Sequence, residues 1–111
     1  MRKIYEMTRG DTKCFEVRIL ENDIMISVDE MFLTVKTDCY VEDVLFQKKI
    51  GDGITIKDNV YTIIISPENT NELEYGRYVF DVEIVVGTLK RTIEKGVLLI
   101  GEEVTFYKNE V

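Results

Sequence analysis

The chain has 111 residues, with Lys+Arg 14 against Asp+Glu 21 and a formal net charge of −7; this is one domain's length, and the acidic balance argues against nucleic acid as the main partner. It holds no histidine and no alanine, but 36 Val, Ile and Thr residues. The first absence removes Ser-His and Cys-His nucleophile pairs and histidine-bearing zinc sites, and the second, beside so many β-branched side chains, favours strands over helices.

In chain order, residues 14–20 alternate, with Phe15, Val17 and Ile19 on one face and Glu16 and Arg18 on the other. That is the two-residue period of a half-buried strand. Met31, Leu33 and Val35 alternate with Phe32, Thr34 and Lys36, and residues 44–48 give a further short strand. Gly51-Asp52-Gly53 is a turn cluster. Residues 54–57 and 60–65 flank Asp58-Asn59, a pair that tolerates the positive φ of a tight hairpin. Ser66-Pro67-Glu68 carries N-cap, first-position and first-turn preferences, and predicts one helical turn crossing between strands. Tyr78, Phe80, Val82, Ile84 and Val86 then alternate with Val79, Asp81, Glu83 and Val85. Gly87 marks a turn, Gly96 is expected as a bulge, and an apolar-polar stretch closes through Val104, Phe106 and Tyr107.

The expectation is a single domain over residues 1–111, all-β, with seven to nine short antiparallel strands. The pattern favours an immunoglobulin-like Greek-key β-sandwich over a barrel. One motif discriminates. Leu73, Gly76 and Tyr78 lie where a tyrosine corner belongs, after a one-turn crossover and at the start of a long strand. The ring would pack under the crossover while its hydroxyl satisfies a backbone group.

The chemical inventory is thin. Acidic residues Asp38, Glu42 and Asp43, and the pair Asp29-Glu30, lack the spacing of a calcium loop and read as loop solvation. Asp81 and Glu83 are neighbours on one strand face, whereas glycosidase carboxylates face each other across a cleft. Two cysteines, Cys14 and Cys39, read as free thiols. No catalytic residue, metal or cofactor is expected, and the chain is not read as an enzyme. The basic pairs Arg2-Lys3, Lys48-Lys49 and Lys90-Arg91 are expected on solvated strand faces. No apolar run is long enough to span a membrane. Among the tyrosines, Tyr5, Tyr40, Tyr61, Tyr75 and Tyr107 are candidates for a partner surface. Val79 and Val85, apolar on an outward face, mark a candidate interface and a candidate homo-oligomer contact.

Two blocks carry a family likeness. The first is Arg9-Gly10-Asp11-Thr12 opening into the strand Lys13-Cys14-Phe15-Glu16-Val17. The second is Leu73-Glu74-Tyr75-Gly76-Arg77-Tyr78-Val79-Phe80-Asp81-Val82, its return strand to Gly96, and Glu102-Glu103-Val104-Thr105. In this order the chain resembles the N-terminal domain of phage baseplate upper proteins, within a wider group of immunoglobulin-like siphophage and prophage structural proteins. Residues 21–30 depart from the family's Gly-rich turn. The resemblance implies a non-enzymatic virion structural module, of a tail baseplate or neck, docking to distal tail or other baseplate components. It implies location in the virion, and in the host cytoplasm during assembly. It also makes Arg9-Gly10-Asp11 the start of a strand and not an adhesive loop. The alternative function is a bacterial ligand- or carbohydrate-binding adhesive β-sandwich, which the absence of tryptophan platforms disfavours.

Overall fold

The computed structural model describes residues 3–103. The chain forms β1 (Lys3–Thr8), β2 (Lys13–Val17), β3 (Leu20–Glu21), β4 (Ile24–Met25), β5 (Glu30–Lys36), β6 (Phe46–Ile50), β7 (Gly53–Lys57), β8 (Val60–Ile65), α1 (Pro67–Thr70), β9 (Gly76–Val86) and β10 (Leu89–Gly101). Eight strands make one mixed sheet in the order β1-β10-β9-β5-β6-β7-β8-β2, nearly closed on itself, and β3 and β4 form a separate ribbon. The protein is all-β. Val104, Phe106 and Tyr107 lie outside the described residues.

Alternation sets which side of each strand is buried. Met31, Leu33 and Val35 of β5 are at most 2% exposed, and Tyr61, Ile63 and Ile65 of β8 are each 1% exposed. Tyr78, Phe80, Val82 and Ile84 of β9 join them in one apolar cluster with Met7, Ile54, Leu98 and Ile100. Removing these side chains from water is the main term holding the sheet together. The polar group buried with them is satisfied: the Tyr61 hydroxyl accepts the Val28 N–H at 2.8 Å.

Two strand pairs are parallel, against the antiparallel expectation. β1 runs beside β10, with Lys3 opposite Gly96 and Thr8 opposite Gly101. β6 and β7 pair over Lys49–Gly53 and Ile50–Ile54. Here the turn cluster does not reverse the chain. It steps one strand sideways, and Gly51 at φ 90° and Gly53 at φ 96° take the left-handed conformations that the step needs. The Lys48 stem lies across Gly53, where a Cβ would sit 2.3 Å from Lys48 Cδ. Lys48 is therefore 9% exposed and not on a solvated face as its basic pair predicts.

The two-residue turns behave differently in the sequence and alike in the fold. Asp58 and Asn59 take φ 52° and 61°, the expected hairpin. Asn22 and Asp23 take φ 52° and 65° and make a second one, β3–β4, which no turn expectation covered. The Ser27 hydroxyl donates to Asn59 Oδ1 at 3.0 Å, and the Gly87 N–H donates to Asp29 Oδ2 at 2.6 Å. These bonds tie the β4–β5 connection to the β7–β8 and β9–β10 turns.

β10 is one strand of 13 residues. Its register shift falls between Thr92 and Glu94, not at Gly96. Gly96 is instead an ordinary ladder position where nothing larger fits: a Cβ would lie 2.2 Å from the Lys3 carbonyl oxygen and 2.7 Å from Phe80 Cε1. The bulge at Ile93 moves Glu94 to the inward side, opposite Val82. There its carboxylate accepts the Tyr5 hydroxyl at 2.6 Å. Among the described residues no helix is long and apolar enough to cross a membrane.

Candidate functional site

The crossover holds the first group of predicted residues. Ser66 N–H donates to Asn69 Oδ1 at 2.8 Å and ties off the start of α1. Thr70, fully buried, accepts the Gly10 N–H at 2.8 Å, which joins α1 to the β1–β2 turn. Gly76 sits at φ 143°, and Leu73 packs against the core. The Tyr78 hydroxyl donates back to the Glu74 carbonyl at 2.6 Å. This locks the connection onto the base of β9.

Arg9-Gly10-Asp11 does not begin a strand. Arg9 and Gly10 form the turn after β1, closed by Asp11 N–H donating to the Thr8 carbonyl at 3.1 Å. Gly10, at φ 82°, allows the tight reversal, and the strand begins only at Lys13. The Arg9 guanidinium is engaged through all three of its nitrogens. It donates to Glu103 Oε1 at 2.6 Å and 3.1 Å, to the Leu73 carbonyl at 3.2 Å and to the Tyr75 hydroxyl at 2.9 Å, above whose ring it lies. The hydrogen bond from Arg9 holds the Glu103 carboxyl below its ordinary pKa. Sequence reading missed this clasp, because it joins residues 94 apart in the chain.

The second group lies on the outward side of β9. Val79, Asp81, Glu83 and Val85 alternate with the buried set. Ladder register assigns their neighbours. Val79 stands beside Val97, which stands beside Ile4. Val97 is 6% exposed yet outside the core cluster. Ile4 is 65% exposed. Val79 thus belongs to an apolar block that crosses three strands. Val85 does not: its ladder neighbours are Lys90 and Glu30. The two valines named from the sequence share a face but have different surroundings.

Between them lies a charged row. Asp81 stands between Thr34 and Lys95. Burial, and then the nearby Glu83 carboxylate, raise the Asp81 carboxyl above its usual range, against the pull of Lys95 and Lys36. Asp81 forms no ion pair within 4.0 Å among the described residues. A depression of about 200 Å³ opens here, lined by Thr34, Lys36, Cys39, Val79, Asp81 and Lys95. It is shallow and continuous with the outward face. Among the described residues Asp81 is the one carboxylate that lines it, and Glu83 follows two residues along the same strand face rather than across a cleft.

The tyrosines are dispersed. Tyr61 is buried, and Tyr40 is 92% exposed on the loop after β5. Tyr5 closes the seam between β1 and β2 with its ring 4.6 Å from that of Phe15. Its hydroxyl is pushed up to about 12 by burial and by the Glu94 hydrogen bond. Tyr75 belongs to the Arg9 clasp, and Tyr107 is outside the described residues. Both cysteines are free and exposed. No family model matches the chain, and no curated protein matches it in sequence.

Proposed function

We propose that this chain is a non-enzymatic structural module of a phage or prophage virion, at a tail baseplate or neck, working by docking to other virion proteins. The two-block resemblance motivates the setting. The observation that carries docking as the mode of action is the outward face of β9 and its neighbours, where an apolar block borders charges of both signs on the outer side of the sheet.

The finer architecture belongs to the same proposal: an immunoglobulin-like Greek-key sandwich. One layer would hold β1, β10, β9, β5 and β6, and the other β7, β8 and β2, with the Gly51–Gly53 sidestep passing between them. The strand order supports this, as does the Tyr78 bond to the Glu74 carbonyl at the entry to β9. The reading calls for no cofactor, metal, nucleic acid or membrane. Adhesion through Arg9-Gly10-Asp11 finds no support, since the guanidinium is already bound.

The test is placement. Genes for tape-measure, distal tail or holin proteins beside the coding sequence, and the chain itself in purified particles by mass spectrometry, are the expected results. A neighbourhood of metabolic genes, with particles lacking the chain, would overturn the reading.

A further inference from the structure

We infer that the outward face of β9 and β10 binds a second copy of this chain about a two-fold axis that runs along the strands, over the line between them. The inference deepens the docking reading by naming one partner, and it rests on that reading for its biological setting.

The argument is one of register. An axis in that position carries each outward residue of β9 onto the place facing its own β10 neighbour in the other copy, and the reverse. The face is self-complementary only if the residues that are ladder neighbours attract one another. Across the β9–β10 line the two central rows, Val79 with Val97 and Asp81 with Lys95, do, and the rows beyond them are neither matched nor opposed in charge. The outward pairs are Arg77 with Leu99, Val79 with Val97, Asp81 with Lys95, Glu83 with Thr92, and Val85 with Lys90. The central row therefore sets Asp81 against the second copy's lysine twice. The adjacent row sets valine against valine twice. Across the β9–β5 line the condition fails. There Val79 neighbours Lys36, Glu83 neighbours Phe32 and Val85 neighbours Glu30.

Charge selects the occupant. The chain carries −7, so two copies repel through most of their surfaces. On this face Arg77, Lys90 and Lys95 stand with Asp81 and Glu83, so it escapes the acidic excess of the rest of the chain. A strongly basic partner would be better served by the acidic remainder, whereas a face of mixed charge with its own complement suits another copy. Asp81 and Lys95 make no ion pair within 4.0 Å in the single chain, among the described residues, which leaves both available. Two stacked sheets about 10 Å apart bring such facing side chains into reach.

The experiment is sedimentation equilibrium on the full chain and on a charge-swapped pair. The wild type is expected to show a reversible, concentration-dependent dimer. Asp81→Lys alone sets lysine against lysine, and Lys95→Asp alone sets carboxylate against carboxylate. Each should weaken self-association about tenfold or more. An equimolar mixture of the two variants should restore a dimer containing one copy of each, because every central contact then joins opposite charges. Asp81→Asn and Val79→Glu, checked for folding by circular dichroism, replace a variant that does not fold, and each should weaken the dimer. A wild type that stays monomeric to millimolar concentration would overturn the inference. So would a mixture that stays dissociated while the wild type dimerises. A monomer found in purified particles sinks the two-fold contact alone, and a dimer never found in particles sinks the virion setting alone.

Discussion

Gly96→Ala should detach β1 while leaving the rest of the sheet. The added methyl would sit 2.2 Å from the Lys3 carbonyl oxygen and 2.7 Å from the Phe80 ring. An ordinary contact is about 3.5 Å or more, so about 1.3 Å must be found between two paired backbones. Overpacking of this kind costs typically about 1–3 kcal/mol. The upper end applies, because the nearest atom is main chain and cannot rotate away. With about 2.1 cal/mol/K of unfolding entropy per residue, the chain has about 230 cal/mol/K, and about 3 kcal/mol lowers the midpoint by about 13 °C. Gly101→Ala is the internal control. It lies on the same strand, and its Cβ would meet the Met7 carbonyl oxygen at 3.9 Å, an ordinary contact. It should be neutral or stabilising by a few tenths of a kcal/mol. Calorimetry and amide exchange across Lys3–Thr8 read both. A Gly96→Ala midpoint within about 4 °C of wild type, with β1 amides still protected, would refute the steric reasoning.

Tyr78→Phe removes the bond to the Glu74 carbonyl and should cost about 1 kcal/mol in urea unfolding, with no change in the denaturant slope. At concentrations where the chain is monomeric, Asp81→Asn should raise the melting temperature at neutral pH. The folded carboxyl has a raised pKa, so its favourable contribution is complete below the unfolded value and lost as pH rises through the folded one. The gain from asparagine should therefore shrink on acidification, and a constant gain from pH 3 to pH 8 would count against a desolvated carboxyl. Arg9→Gln should return Glu103 to an ordinary carboxylate titration, read by carbon NMR. Wild-type Glu103 contributes stability above its unfolded pKa and loses it as pH falls through the lower folded value, so the variant should show a weaker acid-induced loss.

Strand faces were legible where the two-residue period was clean. Met31, Leu33 and Val35 have charged or hydroxylated neighbours enough to mark the buried side, and all three are buried. Asp58-Asn59 was legible because local chemistry decides a two-residue turn. β10 was not. Val97, Leu98, Leu99 and Ile100 are all apolar, so alternation gives no phase, and the shift at Ile93 that brings Glu94 inward leaves no local mark. The short strand β1 was unassigned for a different reason. Its stability comes from the rings of Phe15 and Phe80 against Tyr5 and from β10, and Phe80 and β10 are far away in sequence. The outward face was half legible for the same cause. Val79 and Asp81 could be named from their strand alone, but Val97, Ile4 and Lys95 join them only through register.

The parallel pairing of β1 with β10 also sets how the fold responds to tension. Lys3 is level with Gly96, and Thr8 is level with Gly101. The chain enters this ladder at one end and leaves it at the other. A pull on the two ends of the protein drives the strands past each other along their length. Hydrogen bonds across all six residue pairs then share the load together, whereas a hairpin opened from its tips loses them singly. Forced opening is governed by the unfolding rate rather than by equilibrium stability. Shear across β1 and β10 is therefore the barrier that a tether pulling on Lys3 and Gly101 would meet.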